Sequence, residues 1–147
     1  MSRLVDPRTE DVALLAALHA ASFADAWSAG FIRDLLESPG VFAFVANCGF
    51  ILARAAGGEA EILTIAVAPE ARLRGTGRAL VREAAAYAQG LGATTLFLEV
   101  ATDNEPALKL YVGAGFEPVG LRKGYYQGKD AQILKAALPL PNSGDFA

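Results

Sequence analysis

Two apolar strands with one amphipathic helix between them limit most strongly how this chain can fold. EILTIAV at 61–67 is typical of a strand stopped by Pro69, and TTLFLEV at 94–100 of a second strand with few polar positions. Between them, residues 76–89 place apolar side chains at helical spacing, and Gly90 is suited to end that helix. A strand, a helix and a parallel strand in this order form a right-handed crossover. The second strand should be covered on both faces, as parallel strands usually are.

Further strands on both sides of the crossover extend the predicted sheet. The three strands before the helix are separated by short turns that contain glycine, which is typical of an antiparallel meander. Two more strands follow the crossover and are joined by a loop that contains two tyrosines. The predicted strands are 41–47, 50–56, 61–67, 94–100, 116–122 and 131–138.

Two helices are predicted before the first of these strands. The hydroxyl of Thr9 can cap the first helix, which extends to about residue 20, and that of Ser28 can cap a second, shorter one. Apolar residues at helical spacing indicate which face packs inward. In the second helix these residues are Phe31, Leu35 and Leu36.

A short helix after the strand at 94–100 completes the set, and Asp103 or Asn104 can cap it. The order of elements predicts one α/β domain at 1–138. Its sheet is expected to be mixed and mostly antiparallel, with a parallel crossover in the middle and helices on both faces. Residues 139–147 are predicted to form a flexible tail.

Length and composition limit the class of protein. The 147 residues suit one domain with one core, and no apolar run reaches the roughly 18–20 residues of a membrane-spanning helix. The net charge of −3 disfavours a nucleic-acid binder and permits a cationic substrate. Cys48 is the only cysteine and His19 the only histidine, so neither an internal disulfide nor a metal site is expected. The first residues lack an apolar leader, which predicts a cytoplasmic protein.

The heptapeptide RLRGTGR at 72–78 stands where the first crossover strand gives way to the helix. Its glycines, Gly75 and Gly77, would let a ligand approach the first N–H groups of the helix, which have no partner inside the helix. With the helix dipole and the arginines, these donors could hold a diphosphate. The spacing is that of neither a Walker loop nor the GxGxxG dinucleotide fingerprint. A plain helix start with two flexible residues would explain the same heptapeptide.

The longer pattern around this heptapeptide resembles a known family. R-x-x-G-x-G, formed by Arg72, Gly75 and Gly77 after EILTIAV, looks like the acetyl-CoA pyrophosphate motif of the GNAT acetyltransferase superfamily. LFLEV at 96–100 and ALKLYVGAGF at 107–116 are similar to the second half of that family's core. With the GYY sequence of the last loop, the chain is most similar to the ribosomal-protein-alanine N-acetyltransferase branch. The fold implied is the GNAT-like acyl-CoA acyltransferase fold.

Three positions depart from the pattern of this branch. Leu73 stands where many members have glycine, and Ala68 stands where an acid is frequent before proline. Gly124 replaces the more usual asparagine before the two tyrosines. The first two leave the cofactor prediction unchanged, whereas the third lies in the predicted acceptor region.

The resemblance implies acetyl-CoA as co-substrate, bound without a metal. Backbone groups at the end of the first crossover strand would pair with the pantetheine like an added strand, and an N–H near Val67 would hold the oxyanion. Asn104 would contact the cofactor, although it could instead cap its helix. The implied cofactor-binding residues are Ile65, Ala66, Val67, Leu73, Arg74, Gly75, Thr76, Gly77, Arg78 and Asn104.

Two residues are implied as catalytic. Glu99 would be the base that takes a proton from the acceptor amine, directly or through water, and burial would raise its pKa toward a useful range. The alternative for Glu99 is a strand-end carboxylate paired with an arginine. Tyr111 would protonate the leaving thiolate, and its alternative is packing in the core, which does not exclude the first role.

The acceptor is the least determined part of the prediction. Tyr125 and Tyr126 could wall an acceptor site or only anchor a surface loop. The resemblance implies the N-terminal alanine of a small-subunit ribosomal protein, a basic partner, with no direct contact to nucleic acid or membrane. Lysine, polyamine or another small amine is an alternative acceptor on the same scaffold. A protein that binds acetyl-CoA as a sensor, without catalysis, is an alternative of a different class.

Overall fold

A computed structural model of the protein describes residues 2–71, 75–126 and 128–141, without the side chains of Ala71, Tyr125 and Tyr126. The helices are α1 (Asp11–Ala20), α2 (Ala29–Leu36), α3 (Thr76–Gly90) and α4 (Glu105–Gly113). The strands are β1 (Arg3–Leu4), β2 (Val41–Ala46), β3 (Gly49–Ala56), β4 (Glu59–Val67), β5 (Thr95–Ala101), β6 (Glu117–Tyr126) and β7 (Lys129–Ala137). A 3-10 turn at Pro69–Ala71 follows β4.

These strands form one mixed sheet in the order β1-β2-β3-β4-β5-β7-β6. β4 and β5 are parallel, and the neighbouring strands on either side pair antiparallel. The predicted mixed α/β fold with a parallel crossover in its middle is therefore confirmed. β1 was not predicted, because two residues are too few to show a period in the sequence.

The parallel pair is short, and this shapes the sheet. β4 pairs with β5 from Glu59 opposite Thr95 to Glu61 opposite Phe97. Beyond that point β4 continues along β3, and β5 continues along β7. In the β3–β4 register Leu63 is the extra residue of a bulge, since Leu52 faces Thr64 while Ala53 faces Ile62. A bulge bends and twists its strand, so it favours the separation of β4 from β5.

Helices cover the sheet from both sides, and alternating residues of the same strands serve both. On one face α1 and α2 pack on residues such as Phe50 and Leu52, and on the other α3 and α4 pack on residues such as Ile51 and Ala53. This alternation follows from the period of two along a strand. The α1–α2 cluster consists of Val5, Val12, Leu15, Ile32, Leu36, Ala43, Val45, Phe50, Leu52 and Ala66. The α3–α4 cluster includes Leu80, Val81, Ala84, Leu96, Leu98, Tyr111 and Leu134.

The inner face of α2 agrees with the prediction at Leu35 and Leu36, which pack in the α1–α2 cluster, and differs from it at Phe31. Ile32 and Leu36, four residues apart, are the buried pair, whereas Phe31 is 46% exposed. The Phe31 ring instead packs edge-on against Trp27, with ring centroids 5.1 Å apart. The predicted cap is confirmed, because the Ser28 hydroxyl accepts the N–H of Phe31 at 3.1 Å.

The start of α1 also differs slightly from the prediction. Glu10 occupies the cap position without a side-chain hydrogen bond. The Thr9 hydroxyl accepts the N–H of Asp11 at 3.2 Å, so it bonds to the first turn from one position farther out.

The chain after β7 returns to α3. Leu138 and Leu140 are partly buried against the α3–α4 cluster, and Arg82 donates to the carbonyl of Pro141 at 3.3 Å. This part of the predicted tail therefore contacts the domain. The remainder, 142–147, lies outside the described residues.

The described residues contain neither a candidate membrane-spanning helix nor a candidate metal-binding cluster. No helix among them combines the length and the apolar composition needed to cross a bilayer. No three or more histidine, cysteine, aspartate or glutamate side chains among them converge as a metal site.

Candidate active site

β4 and β5 do not pair at their carboxyl ends, so a cleft is expected between the two strands there. Their ladder stops at Glu61 and Phe97, six residues before the end of β4 at Val67. Ligands of α/β sheets bind in crevices at the carboxyl ends of strands. Two of the predicted features lie at this end of the sheet, namely residues 75–78 of the glycine heptapeptide and Glu99.

The helix N-terminus after β4 faces this end of the sheet. Gly75 has φ +82° and precedes the first helical residue, Thr76. At Gly77, an added Cβ would lie 3.4 Å from Leu110 and 3.8 Å from Val67, so the first turn of α3 packs between the end of β4 and α4. The first N–H groups of a helix have no intrahelical partner. Of the predicted cradle, Leu73 and Arg74 lie outside the described residues.

Glu99 lies near the end of β5 with its side chain 12% exposed. Its Oε1 is 2.9 Å from Nε of Arg122 on β6, whose side chain is 52% exposed. The alternative in which an arginine pairs with this carboxylate is therefore present in the structure. It does not exclude the base role, because an ion pair at the edge of a cleft can be exchanged.

Tyr111 lies on α4 and is 5% exposed. Its ring packs edge-on against Phe116, with centroids 5.8 Å apart, and it belongs to the α3–α4 cluster. Core packing of this tyrosine is therefore confirmed, and its role as an acid stays a prediction.

Asn104 caps α4, since its Oδ1 accepts the N–H of Ala107 at 3.3 Å. Asp103 does not share this task. It pairs with Lys129 at 2.7 Å, and the hydrogen-bonded ammonium holds the pKa of Asp103 below its usual value. The capping alternative is thus the one seen for Asn104, and a cofactor contact by the same residue stays a prediction.

The model of the acetyltransferase (GNAT) family matches residues 13–116, from α1 to the residue before β6. The chain belongs to the GNAT acetyltransferase family.

Relatives within this family carry related names. A Bacillus subtilis protein named putative ribosomal protein bS18-alanine N-acetyltransferase is 36% identical over 135 residues, covering 86% of this chain and 89% of that protein. N-alpha-acetyltransferase RimI of Mycobacterium tuberculosis is 46% identical over 79 residues, covering 52% of this chain and 48% of that protein. An uncharacterized Mycobacterium leprae protein is 47% identical over 79 residues. This chain spans about half of the M. tuberculosis relative and 21% of the M. leprae one.

Solved structures agree on the fold. The ribosomal-protein-S18-alanine N-acetyltransferase from Escherichia coli superimposes with a TM-score of 0.81 at 26% identity, covering 97% of both chains. Ard1 from Thermoplasma volcanium gives a TM-score of 0.83 at 24% identity and covers 93% of this chain. The architecture is thus that of the GNAT fold over nearly the whole chain.

The β6–β7 connection explains one departure from the GNAT branch pattern. Gly124 has φ +67°, a left-handed conformation that glycine adopts freely and asparagine adopts more readily than most residues. Its N–H donates to Oδ1 of Asp130 at 3.0 Å, and the Asp130 carbonyl accepts the N–H of Thr102 at 3.0 Å. The end of β6 and the start of β7 are therefore tied to each other and to Thr102, the residue after β5. Tyr125 and Tyr126 belong to β6 by their backbone, and nothing further is described of their side chains.

Cys48 lies beside the glycine cradle, and this position was not predicted from the sequence. Its Sγ is 3.8 Å from Oγ1 of Thr76, and its carbonyl accepts the N–H of Ala68 at 2.7 Å. The predicted antiparallel meander already implied that Cys48 lies near the end of β4. A tight turn before β3 must face the end of β4, as Gly49 opposite Val67 does.

Proposed function

We propose that the chain is an acetyl-CoA-dependent N-acetyltransferase that acetylates the N-terminal amine of a protein. The acceptor we propose is the N-terminal alanine of a small-subunit ribosomal protein. The observation that carries the proposal is the early end of the β4–β5 ladder. The glycine-containing start of α3 follows β4, and the carboxylate Glu99 lies on β5. The similarity to the B. subtilis protein over 86% of the chain supports the choice of acceptor.

The cradle fits a diphosphate. Gly75 has a positive φ, and no atom of the described residues lies within 4 Å of a Cβ added there, while Gly77 carries no side chain at the first turn of α3. Backbone N–H groups there, with the Arg78 guanidinium, would hold the pyrophosphate of acetyl-CoA. The backbone of Ile65, Ala66 and Val67 would pair with the pantetheine. Leu73, Arg74 and Asn104 are assigned to the same ligand by resemblance to the family.

The reaction needs a neutral amine and a protonated leaving group. An α-amino group has a pKa near 7.7–8.0, so about neutral pH it arrives mostly as an ammonium. Glu99 takes one proton, directly or through water, and the freed nitrogen attacks the thioester carbonyl. The new C–N bond forms and the C–S bond breaks, and Tyr111 gives its proton to the thiolate. The nitrogen then loses its second proton, which restores the hydroxyl of Tyr111. An N–H near Val67 holds the oxyanion during the transfer.

The test separates this proposal from its alternatives by acceptor and by residue. Peptides that differ only at the first residue, lysine peptides and free polyamines are assayed with wild type and Glu99→Gln. We expect alanine-first peptides to be preferred and Glu99→Gln to lower kcat by about 10²–10⁴-fold, with acetyl-CoA affinity within about twofold. Glu61→Gln is the matched control, because Glu61 also pairs with an arginine, Arg54, at 3.4 Å on the same sheet.

Each failure points to a different conclusion. Acetylation of free amines but of no peptide would sink the N-terminal acceptor. Turnover that Glu99→Gln leaves unchanged would remove Glu99 from the mechanism. Binding of acetyl-CoA with no acetylation across the panel would favour a sensor. In cells, loss of this protein should remove an N-terminal acetyl group from a ribosomal protein, as read by mass spectrometry. A cytoplasmic location without nucleic-acid or membrane partners stays a prediction.

A further inference from the structure

The ion pair of Glu99 spans three strands of the sheet. Glu99 on β5 faces Ile133 of β7, and Ala131, two residues before it on β7, faces Arg122 of β6. Opposed residues share a face, and residues two apart share it as well. Arg122 therefore reaches diagonally across β7, where Ala131 contributes only a methyl group, to place Nε 2.9 Å from Oε1 of Glu99.

This pair and the proposed reaction compete for one carboxylate. Glu99 is 12% exposed, and a carboxylate this far from water is costly without a positive partner. The proposed acceptor amine is itself a cation about neutral pH. Both cations would approach the same carboxylate, and Nε of Arg122 already lies 2.9 Å from its Oε1.

We propose that Arg122 is a resident counter-ion of Glu99 which the acceptor's α-ammonium displaces on binding. The proposal rests on the proposed function, because it assumes that the acceptor amine reaches Glu99. The exchange keeps a positive partner at Glu99 before and after binding. The guanidinium has an accessible alternative in solvent, since the Arg122 side chain is 52% exposed while paired. Arg122 is then a positioning residue that sets how strongly an acceptor must bind to reach the base.

If Arg122 is displaced by the acceptor, removing it should lower KM, whereas removing an arginine that binds the acceptor would raise KM. Arg122→Gln removes the competitor, so KM for an alanine-first peptide should fall about two- to fivefold, the upper part of the range for one partly exposed charge pair. Its kcat should stay within about threefold. Arg122→Met is a second charge-free variant that keeps the apolar stem, and Arg122→Lys should return KM toward the wild-type value. Arg54→Gln is the control, because it removes a half-exposed arginine from another Arg–Glu pair on the sheet and should leave KM unchanged.

Peptide binding in the presence of CoA, measured by calorimetry, makes the test independent of turnover. Arg122→Gln should tighten peptide binding in the wild-type background and change it less than twofold when Glu99→Gln is already present. A rise in KM in both charge-free variants, or an effect that persists without the Glu99 carboxylate, would overturn the exchange. If Glu99→Gln retains turnover, the base assignment falls, while the binding cycle still decides whether Arg122 and the amine share Glu99.

Discussion

The imidazole of His19 is held on three sides, although no catalytic role is assigned to it. Its Nδ1 accepts the N–H of Trp27 at 3.1 Å, so Nε2 carries the proton in the neutral ring. The ring stacks on Phe23 and on Trp27, with centroids 4.4 Å and 4.7 Å away, and only 2% of the residue is exposed. Burial lowers the pKa of His19 from its ordinary 6.5.

This lowered pKa predicts a loss of stability in acid. The unfolded chain binds a proton on this histidine near pH 6.5, and the folded protein binds it only at lower pH. His19 therefore adds full stability above that pH, and its contribution falls as pH drops through 6.5 toward the folded pKa, by at most about 1.4 kcal/mol per pH unit. Urea unfolding at pH 7.5 and 5.5 should show a larger loss in wild type than in His19→Phe, which keeps an aromatic ring but cannot titrate. Equal losses in the two proteins would contradict it.

Some contacts of single residues could be predicted from the sequence, whereas others depend on the order and register of the strands. Ser28 as a cap follows from its position before an apolar helix, and it is confirmed. The partner of Glu99 could be foreseen as an arginine but not as Arg122. That choice depends on β7 lying between β5 and β6, and strand order leaves no local signal in the chain. Phe31 was assigned to the wrong face because Phe31 and Ile32 both suit an apolar stripe, and only contact with Trp27 separates them.

At the scale of elements, ligand binding at the start of α3 can be tested separately from the cost of backbone strain in its glycine. Gly75 and Gly57 both have positive φ, at +82° and +61°, and among the described residues neither has an atom within 4 Å of an added Cβ. Alanine at either position should therefore cost about 1 kcal/mol of unfolding free energy through strain alone. Gly57 lies in the β3–β4 turn, at the opposite end of β4 from the cradle.

The pair gives a matched experiment. Gly75→Ala should weaken acetyl-CoA binding severalfold, because the added methyl group stands where the diphosphate is proposed to meet the backbone, while Gly57→Ala should leave affinity unchanged. Calorimetry measures the affinity. A second readout is the rate at which an alkylating reagent modifies Cys48, which lies close to Thr76 and which bound acetyl-CoA should protect. Equal affinities in the two variants would remove Gly75 from the cradle.

The helices and strands could be predicted from the sequence more readily than the separation of β4 from β5. The apolar runs of β4 and β5, and the helical spacing of α3 between them, predicted the crossover. The early end of the parallel ladder was not predicted, because it follows from a bulge at Leu63 that only the register with β3 reveals. The cleft arises from that divergence, so the site was located by its resemblance to a family before its geometry could be derived.

At the scale of the whole molecule, the sheet joins two cores that share no helix. β3 contributes Phe50 and Leu52 to the α1–α2 cluster, and Ile51 and Ala53 to the α3–α4 cluster. Loss of either cluster would expose one face of the same strands, and an isolated sheet face has no other cover. The two cores should therefore unfold together as one cooperative unit, as single domains of this size usually do.

Two core substitutions test that cooperativity. Ile32 is fully buried in the α1–α2 cluster and Leu80 is 1% exposed in the α3–α4 cluster. Ile32→Ala and Leu80→Ala should each lower the unfolding free energy by about 2–5 kcal/mol. The single tryptophan, Trp27, packs against the α1–α2 cluster and reports on it by fluorescence, while far-UV circular dichroism reports on all helices. The two probes should give one midpoint in wild type and in both variants. A fluorescence midpoint that stays at the wild-type value in Leu80→Ala, while the dichroism midpoint falls, would mean that the cores unfold separately despite their common sheet.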